Sequence, residues 1–207
     1  TKPAGEATVK TEPTGLEVAV IGMAGRFPGA GNIDEFWRNL EQGIESISFF
    51  TEDQLLNSGV KRQEFEDPAY VSAGGRLDGA EYFDAVFFDY PAREAEVIDP
   101  EVRLFHEVVW WALEDAGCNP GSCPEPVGLY AGASSNFEWL AHTILSGTGS
   151  TLDPFIANQL KDKDFMSVHI SYRLNLKGPS VVLSTACSTS LVAIAMAYQA
   201  VLNGECG

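Results

Sequence analysis

The stretch that decides the fold is Ser180 to Ala193, SVVLSTACSTSLVA. A short apolar run gives way to small residues, then to Cys187, then to an apolar, Ala-rich segment reaching Leu202. Val181 to Ser184 reads as a strand and Cys187 to Leu202 as a helix. A strand that turns sharply into a helix, with a nucleophile at the apex, is the logic of a nucleophile elbow. Thr185, Ala186, Ser188 and Thr189 are small enough to let an acyl group approach, and Ala186, Ser188 and Thr189 are the candidate substrate contacts. At the start of the following helix, Cys187 would face unpaired N–H groups and the positive end of the helix dipole, which favour a thiolate. Its own N–H is placed to donate to an oxyanion. An inert cysteine packed in the core is equally consistent with the local pattern.

Outward from this segment, strand and helix signals alternate. Leu16 to Ala24 (LEVAVIGMA) is an apolar run that reads as a buried strand. Ile33, Phe36, Trp37, Leu40 and Ile44 share one helical face, with Asn32 to cap the start and Gly43 to end it. Residues from about Ser46 to Ala95 keep no period and read as an ordered, loop-rich excursion with buried aromatics. Asp99 and Pro100 open the strongest helix, Pro100 to Ala116, and Gly117 stops it. Its two neighbouring apolar stripes imply burial on more than one side. Val127 to Ala131 reads as a strand, Phe137 to Leu145 and Phe165 to Leu174 as helices, and Gly178-Pro179 as a turn. Alternation of this kind predicts an α/β architecture with a mostly parallel sheet.

The chain has 207 residues, enough for one domain with a real core. Hydrophobic residues make up 45% and charged residues 20%, which excludes global disorder. Lys plus Arg is 13 against 29 for Asp plus Glu, a net charge of −16. A surface this acidic argues against nucleic acid or an anionic membrane as partner. No apolar run approaches the roughly 20 residues of a membrane helix. The opening TKPAGEATVKTEPTGLE has no apolar core of a secretory signal. Residues 1–15 read as a flexible linker, or as an expression remnant. The expected setting is a reducing cytoplasm with free thiols.

The remaining chemistry-bearing residues read blandly. Cys118 and Cys123 flank a Pro/Gly loop without further ligands at metal spacing, so free structural thiols and no metal site are expected. Cys206 lies at the chain's end and carries no signal. His106 reads as a packed or surface histidine, and His142 and His169 have no obvious partner. The glycine-rich GMAGRFPGAG at Gly22 to Gly31 matches neither a phosphate loop nor a dinucleotide pattern.

Three long motifs carry a specific resemblance. Glu17 to Ala30, EVAVIGMAGRFPGA, resembles the opening strand of modular polyketide β-ketoacyl synthases. Asp99 to Gly117, DPEVRLFHEVVWWALEDAG, resembles their Asp-Pro-x-x-Arg-Leu helix. Ile170 to Ile194, ISYRLNLKGPSVVLSTACSTSLVAI, resembles their active-site segment. In order and spacing the three cover residues 16–207. The resemblance makes Cys187 the nucleophile. It implies a thiolase-like fold, a layered αβαβα sandwich, with residues 16–207 as the N-terminal part of a ketosynthase domain. The implied reaction has two stages. An acyl chain passes from the phosphopantetheine arm of an acyl carrier protein to Cys187. Decarboxylative Claisen condensation with a malonyl-type extender thioester follows. The family's supporting histidines and lysine stand in His-Gly-Thr-Gly-Thr and Lys…Gly-His segments that do not occur in these 207 residues. By themselves, these residues are therefore expected to be inactive in condensation.

Two departures stand out. Asp89-Tyr90-Pro91 replaces the usual Gly-x-Ser-Pro, and Ala195 replaces a common non-catalytic histidine. The phrase KDKDFMSVHISYRLNLKGPS sits closer to mixed polyketide and peptide assembly lines than to fatty-acid enzymes. The resemblance also implies adjoining assembly-line domains and a homodimer. Its interface would be the strand Ser180, Val181, Val182, Leu183, Ser184 and Thr185, paired with its own copy. Other readings of the same residues are a non-elongating ketosynthase that only transfers acyl groups and a non-catalytic dimerisation or docking scaffold. A Cys hydrolase is weakly supported, because no Cys–His pairing can be argued.

Overall fold

A computed structural model describes residues 14–207. The linker expected over residues 1–15 therefore lies, apart from Thr14 and Gly15, outside the described residues. In chain order the elements are α1 (Ile33–Gln42), β1 (Ile47–Phe49), α2 (Glu52–Asn57), α3 (Arg62–Phe65), β2 (Ala73–Gly75), α4 (Ala92–Ala95) and α5 (Pro100–Asp115). Then come β3 (Leu129–Ala131), α6 (Phe137–Leu145), α7 (Pro154–Lys161), α8 (Met166–Arg173), β4 (Ser180–Val182) and α9 (Thr189–Leu202). Short 3-10 turns at Lys163–Phe165 and Ala186–Ser188 lead into α8 and α9.

The helices begin and end where local chemistry dictates. Asn32 accepts the Glu35 N–H at 2.9 Å to open α1, and Gly43 closes it with φ of 64°. Asp99 accepts the Glu101 N–H at 2.8 Å and Pro100 fills the first turn of α5. Gly117, with φ of 64°, takes the left-handed conformation that ends it.

β3 and β4 pair in parallel, with Leu129 opposite Ser180 and Ala131 opposite Val182. α8 packs on both strands and α9 on β3. β1 and β2 form a separate antiparallel pair. The excursion from Ser46 to Ala95 is thus ordered into elements of three to six residues, too short to show a period.

The core gathers Phe88, Tyr90, Val97, Ile98, Val102, Ala131, Met166 and Ile170 from the loop before α5, α5 itself, β3 and α8. Val97 and Ile170 are fully buried, and each such side chain contributes roughly 1.5–3 kcal/mol. Two polar clusters with buried centres pack beside them. Lys163 is paired with Asp99 at 3.4 Å and with Glu101. His106, with 0% of its surface exposed, donates from Nδ1 to the Val102 carbonyl (2.8 Å) and accepts at Nε2 from the Tyr90 hydroxyl (3.1 Å). The Arg173 guanidinium lies 4.1 Å from the centre of the Tyr90 ring.

Two sequence expectations are corrected. Leu16 to Ala24 is not a strand: it carries no ladder, and Val20 and Ile21 are exposed. A strand needs a neighbour for its N–H and C=O groups, and among the described residues none lies alongside. The segment is instead fastened to helices. Met23 N–H donates to the Asp115 carboxylate (2.8 Å), the Tyr198 hydroxyl donates to the Leu16 carbonyl (2.9 Å), and a Cβ on Gly22 would stand 2.6 Å from the Ala112 oxygen.

The second correction concerns Cys118 and Cys123, which form a disulfide rather than free thiols. Asn119 folds the loop, accepting Gly121 N–H on its side chain and Ser122 and Cys123 N–H on its carbonyl, each at 2.9 Å. The two Cα atoms end 6.3 Å apart, within disulfide reach.

Candidate active site

The turn between β4 and α9 is built by hydrogen bonds among small residues. Leu183 N–H continues the parallel ladder to the Ala131 carbonyl (2.9 Å), so the strand holds until the turn begins. Ala186 then adopts φ of 53°, the left-handed region that a residue with a Cβ enters at a cost of roughly 1–2 kcal/mol. The Thr189 hydroxyl accepts Thr185 N–H (2.9 Å) and donates to the Ala186 carbonyl (2.8 Å). The Ser188 hydroxyl turns back to the Thr185 carbonyl (2.9 Å) and hydroxyl (3.0 Å). Two or three such bonds at about 0.5–1.5 kcal/mol each match the strain they hold.

Cys187 sits at the apex, free and exposed. It belongs to the 3-10 turn that precedes α9, two residues before the helix proper. Sequence reasoning placed it at the helix terminus itself. The turn is tightened because Ser188 and Thr189 bond backwards instead of capping forwards. Among the described residues no hydrogen bond engages the Cys187 N–H, which is the donor expected of an oxyanion hole.

The substrate-contact candidates Ala186, Ser188 and Thr189 flank this sulfur in sequence, with Ala186 and Ser188 exposed and Thr189 half-buried. The expected interface strand is partly exposed over Ser180 to Leu183, and Ser184 and Thr185 are open to solvent. Ser180 is tied to α8 by the Ser171 hydroxyl at 3.0 Å.

The histidines are employed elsewhere. His106 is locked in the core, where burial above all drives its pKa down to about 4; the nearby positive charges of His169 and Arg173 add to this, and the Val102 carbonyl opposes it. His142 stacks on Trp139 and His169 packs by Phe165. Burial also holds His169 below the usual range, although a bond from its ring to the Gln159 backbone carbonyl works against it. Among the described residues none is hydrogen-bonded to Cys187, so the hydrolase reading gains no dyad. Cys206 is half-buried against Gly128, and burial pushes its thiol pKa up. No cluster of three or more His, Cys, Asp or Glu residues that could hold a metal occurs among the described residues.

Residues 16–207 match the family described as "Beta-ketoacyl synthase, N-terminal domain". The chain belongs to this family. It is 45% identical over 197 residues to a component of the phenolphthiocerol/phthiocerol polyketide synthase of Mycobacterium tuberculosis, covering 91% of this chain and 13% of that protein. It is 39% identical over 200 residues to the pikromycin polyketide synthase component PikAII of Streptomyces venezuelae, covering 92% of this chain and 5% of that protein. The chain thus spans a small part of the curated relatives it matches. Among solved structures it resembles ketosynthase twelve of the bacillaene polyketide synthase from Bacillus amyloliquefaciens, with a TM-score of 0.78 and 34% identity over 91% of this chain and 33% of that one. The ketosynthase from module 1 of the bacillaene synthase of the same species gives 0.76 and 35%, with the same coverage.

The fold is accordingly that of the N-terminal part of the thiolase-like ketosynthases. Three features of this β-ketoacyl synthase chain escaped sequence reasoning. One is the left-handed Ala186, since nothing marks an alanine for positive φ. Another is Gly132, where a Cβ would meet the Thr189 methyl at 2.1 Å and the Leu183 oxygen at 2.6 Å. Its signal was available: a glycine directly after an apolar strand marks close approach. The third is the buried Tyr90–His106–Arg173 cluster, whose members lie 16 to 83 residues apart in sequence.

Proposed function

We propose that this chain carries the acyl-accepting cysteine of a polyketide synthase ketosynthase that extends chains by carbon–carbon bond formation. The observation that carries the reading is Cys187 itself, a free, exposed thiol at a strained strand-to-helix turn. In the acylation step the Cys187 sulfur, as thiolate, attacks the carbonyl carbon of an acyl thioester on a carrier protein's phosphopantetheine arm. The carbonyl π electrons move to oxygen, and the Cys187 N–H stabilises that oxyanion. Collapse breaks the original C–S bond, and the departing phosphopantetheine sulfur takes up the proton that Cys187 gave up. A malonyl-type thioester then loses carbon dioxide, and the resulting carbanion attacks the Cys187 thioester. The new C–C bond forms as the Cys187 sulfur leaves. The resemblance assigns the decarboxylation step to histidine and lysine residues in segments outside these 207, so the share of this chain is the acylation.

A homodimer fits the same frame. β4 is an edge strand among the described residues. Leu183 bonds to β3, so by the two-residue alternation of a strand the Val182 N–H points to the open side. Pairing of that side with a second copy would satisfy it and brace the turn that carries Cys187.

The experiment is covalent loading. The full-length protein is incubated with an acyl thioester and its intact mass is followed. Cys187→Ala should abolish the acyl adduct; undiminished loading of that variant would remove Cys187 from the mechanism.

A further inference from the structure

Thr189 holds together the two peptide units that define the Cys187 turn. Its hydroxyl accepts the Thr185 N–H at 2.9 Å and donates to the Ala186 carbonyl at 2.8 Å. Its backbone N–H bonds the same carbonyl. The Ala186 carbonyl and the Cys187 N–H belong to one planar trans peptide and point in opposite directions. Fixing the carbonyl therefore fixes the direction of the Cys187 N–H. A carbonyl that accepts hydrogen bonds also polarises its own peptide, which makes that N–H a stronger donor. The Thr189 side chain cannot rotate away, because its methyl fills the gap left by the absent Cβ of Gly132 at the end of β3.

We propose that Thr189 is a positioning residue for acyl transfer, aiming and polarising the Cys187 N–H toward the oxyanion through the Ala186 carbonyl. This rests on the acylation reading above, and it replaces direct substrate contact as the role of Thr189. A hydroxyl at this position should matter for reactions that pass through an oxyanion and not for those that do not.

The test compares two reactions of the same sulfur in the full-length protein. Loading from butyryl-N-acetylcysteamine passes through a tetrahedral oxyanion. Alkylation by iodoacetamide displaces iodide at a saturated carbon and forms none. Removing an oxyanion donor outright costs about 10²–10³ in rate, so misdirecting one should slow loading by about tenfold or more. Thr189→Val keeps the shape and loses the hydroxyl. It should show that fall in kcat for loading, with KM for the thioester and the alkylation rate little changed. Thr189→Ser should recover most of the loading rate. If Thr189→Val does not fold, Thr189→Ala against Thr189→Ser makes the same comparison, with the alanine variant slow in loading alone. Equal loading with and without the hydroxyl would overturn the proposal and leave the acylation reading intact. So would a parallel fall in loading and alkylation, which marks a general structural role. Failure of the unmutated protein to load at Cys187 would overturn both.

Discussion

Lowering the pH from 7 to 4 should protonate His106 in the unfolded chain well before it does so in the folded one. The folded imidazole is fully buried and its two nitrogens are already committed, Nδ1–H to the Val102 carbonyl and Nε2 to the Tyr90 hydroxyl. A proton on Nε2 would place a charge in the core and break the bond from Tyr90, with the Arg173 cation close by. Burial therefore lowers its pKa from 6.5 to about 4. Between those values the unfolded chain binds a proton that the folded chain does not, so stability is full above pH 6.5 and falls as the pH drops toward 4. A gap of about 2.5 pH units at about 1.4 kcal/mol each gives a loss of about 3 kcal/mol. That is a large fraction of the roughly 5–15 kcal/mol that holds a domain folded. The assay is the urea midpoint as a function of pH, for the unmutated protein and for His106→Gln. Glutamine can serve both partners without titrating, and its profile should be flatter by this amount between pH 6.5 and 4. Identical profiles, or a His106 resonance that titrates near 6.5 in the folded protein, would refute the argument.

Lys163→Met should cost about 3–5 kcal/mol, read by chemical denaturation, because it strands the Asp99 carboxylate, 2% exposed, without its cation. Gly132→Ala drives a Cβ into the Thr189 methyl and the Leu183 carbonyl, one of them backbone. It should destabilise by about 1–3 kcal/mol in a thermal melt and slow loading of Cys187. Val182→Pro removes an N–H on the open edge of β4 while sparing the ladder to β3, so sedimentation should show the proposed dimer for the unmutated protein and a monomer for the variant, with the melt largely retained. A variant that stays dimeric would take β4 out of the interface.

What was legible in the sequence was what local chemistry fixes. Asn32 and Gly43 bound α1, and Asp99, Pro100 and Gly117 bound α5, because capping groups and left-handed glycines act within one turn of the chain. The same holds for the strand, turn and helix around Cys187. Leu16 to Ala24 misled because an apolar run records burial potential and not the presence of a pairing partner. The disulfide depended on how Asn119 folds five residues, which spacing alone does not reveal. Asp99 was legible as a cap, but its partner Lys163 lies 64 residues on, beyond any local rule. In the candidate site the exposed Cys187 at the turn could be read, while the contacts that build the turn around it could not. Thr189 and Gly132 come together only because β3 runs alongside β4.

The most direct test of the account locates the acyl group. After loading with butyryl-N-acetylcysteamine, the full-length protein is digested under conditions that preserve thioesters and the peptides are sequenced by mass spectrometry. Cys187 and Cys206 are the free thiols among the described residues, and burial holds the second one protonated. The butyryl group is expected on the peptide containing Cys187 and not on the peptide containing Cys206. An acyl group on Cys206, or distributed over both, would contradict that expectation.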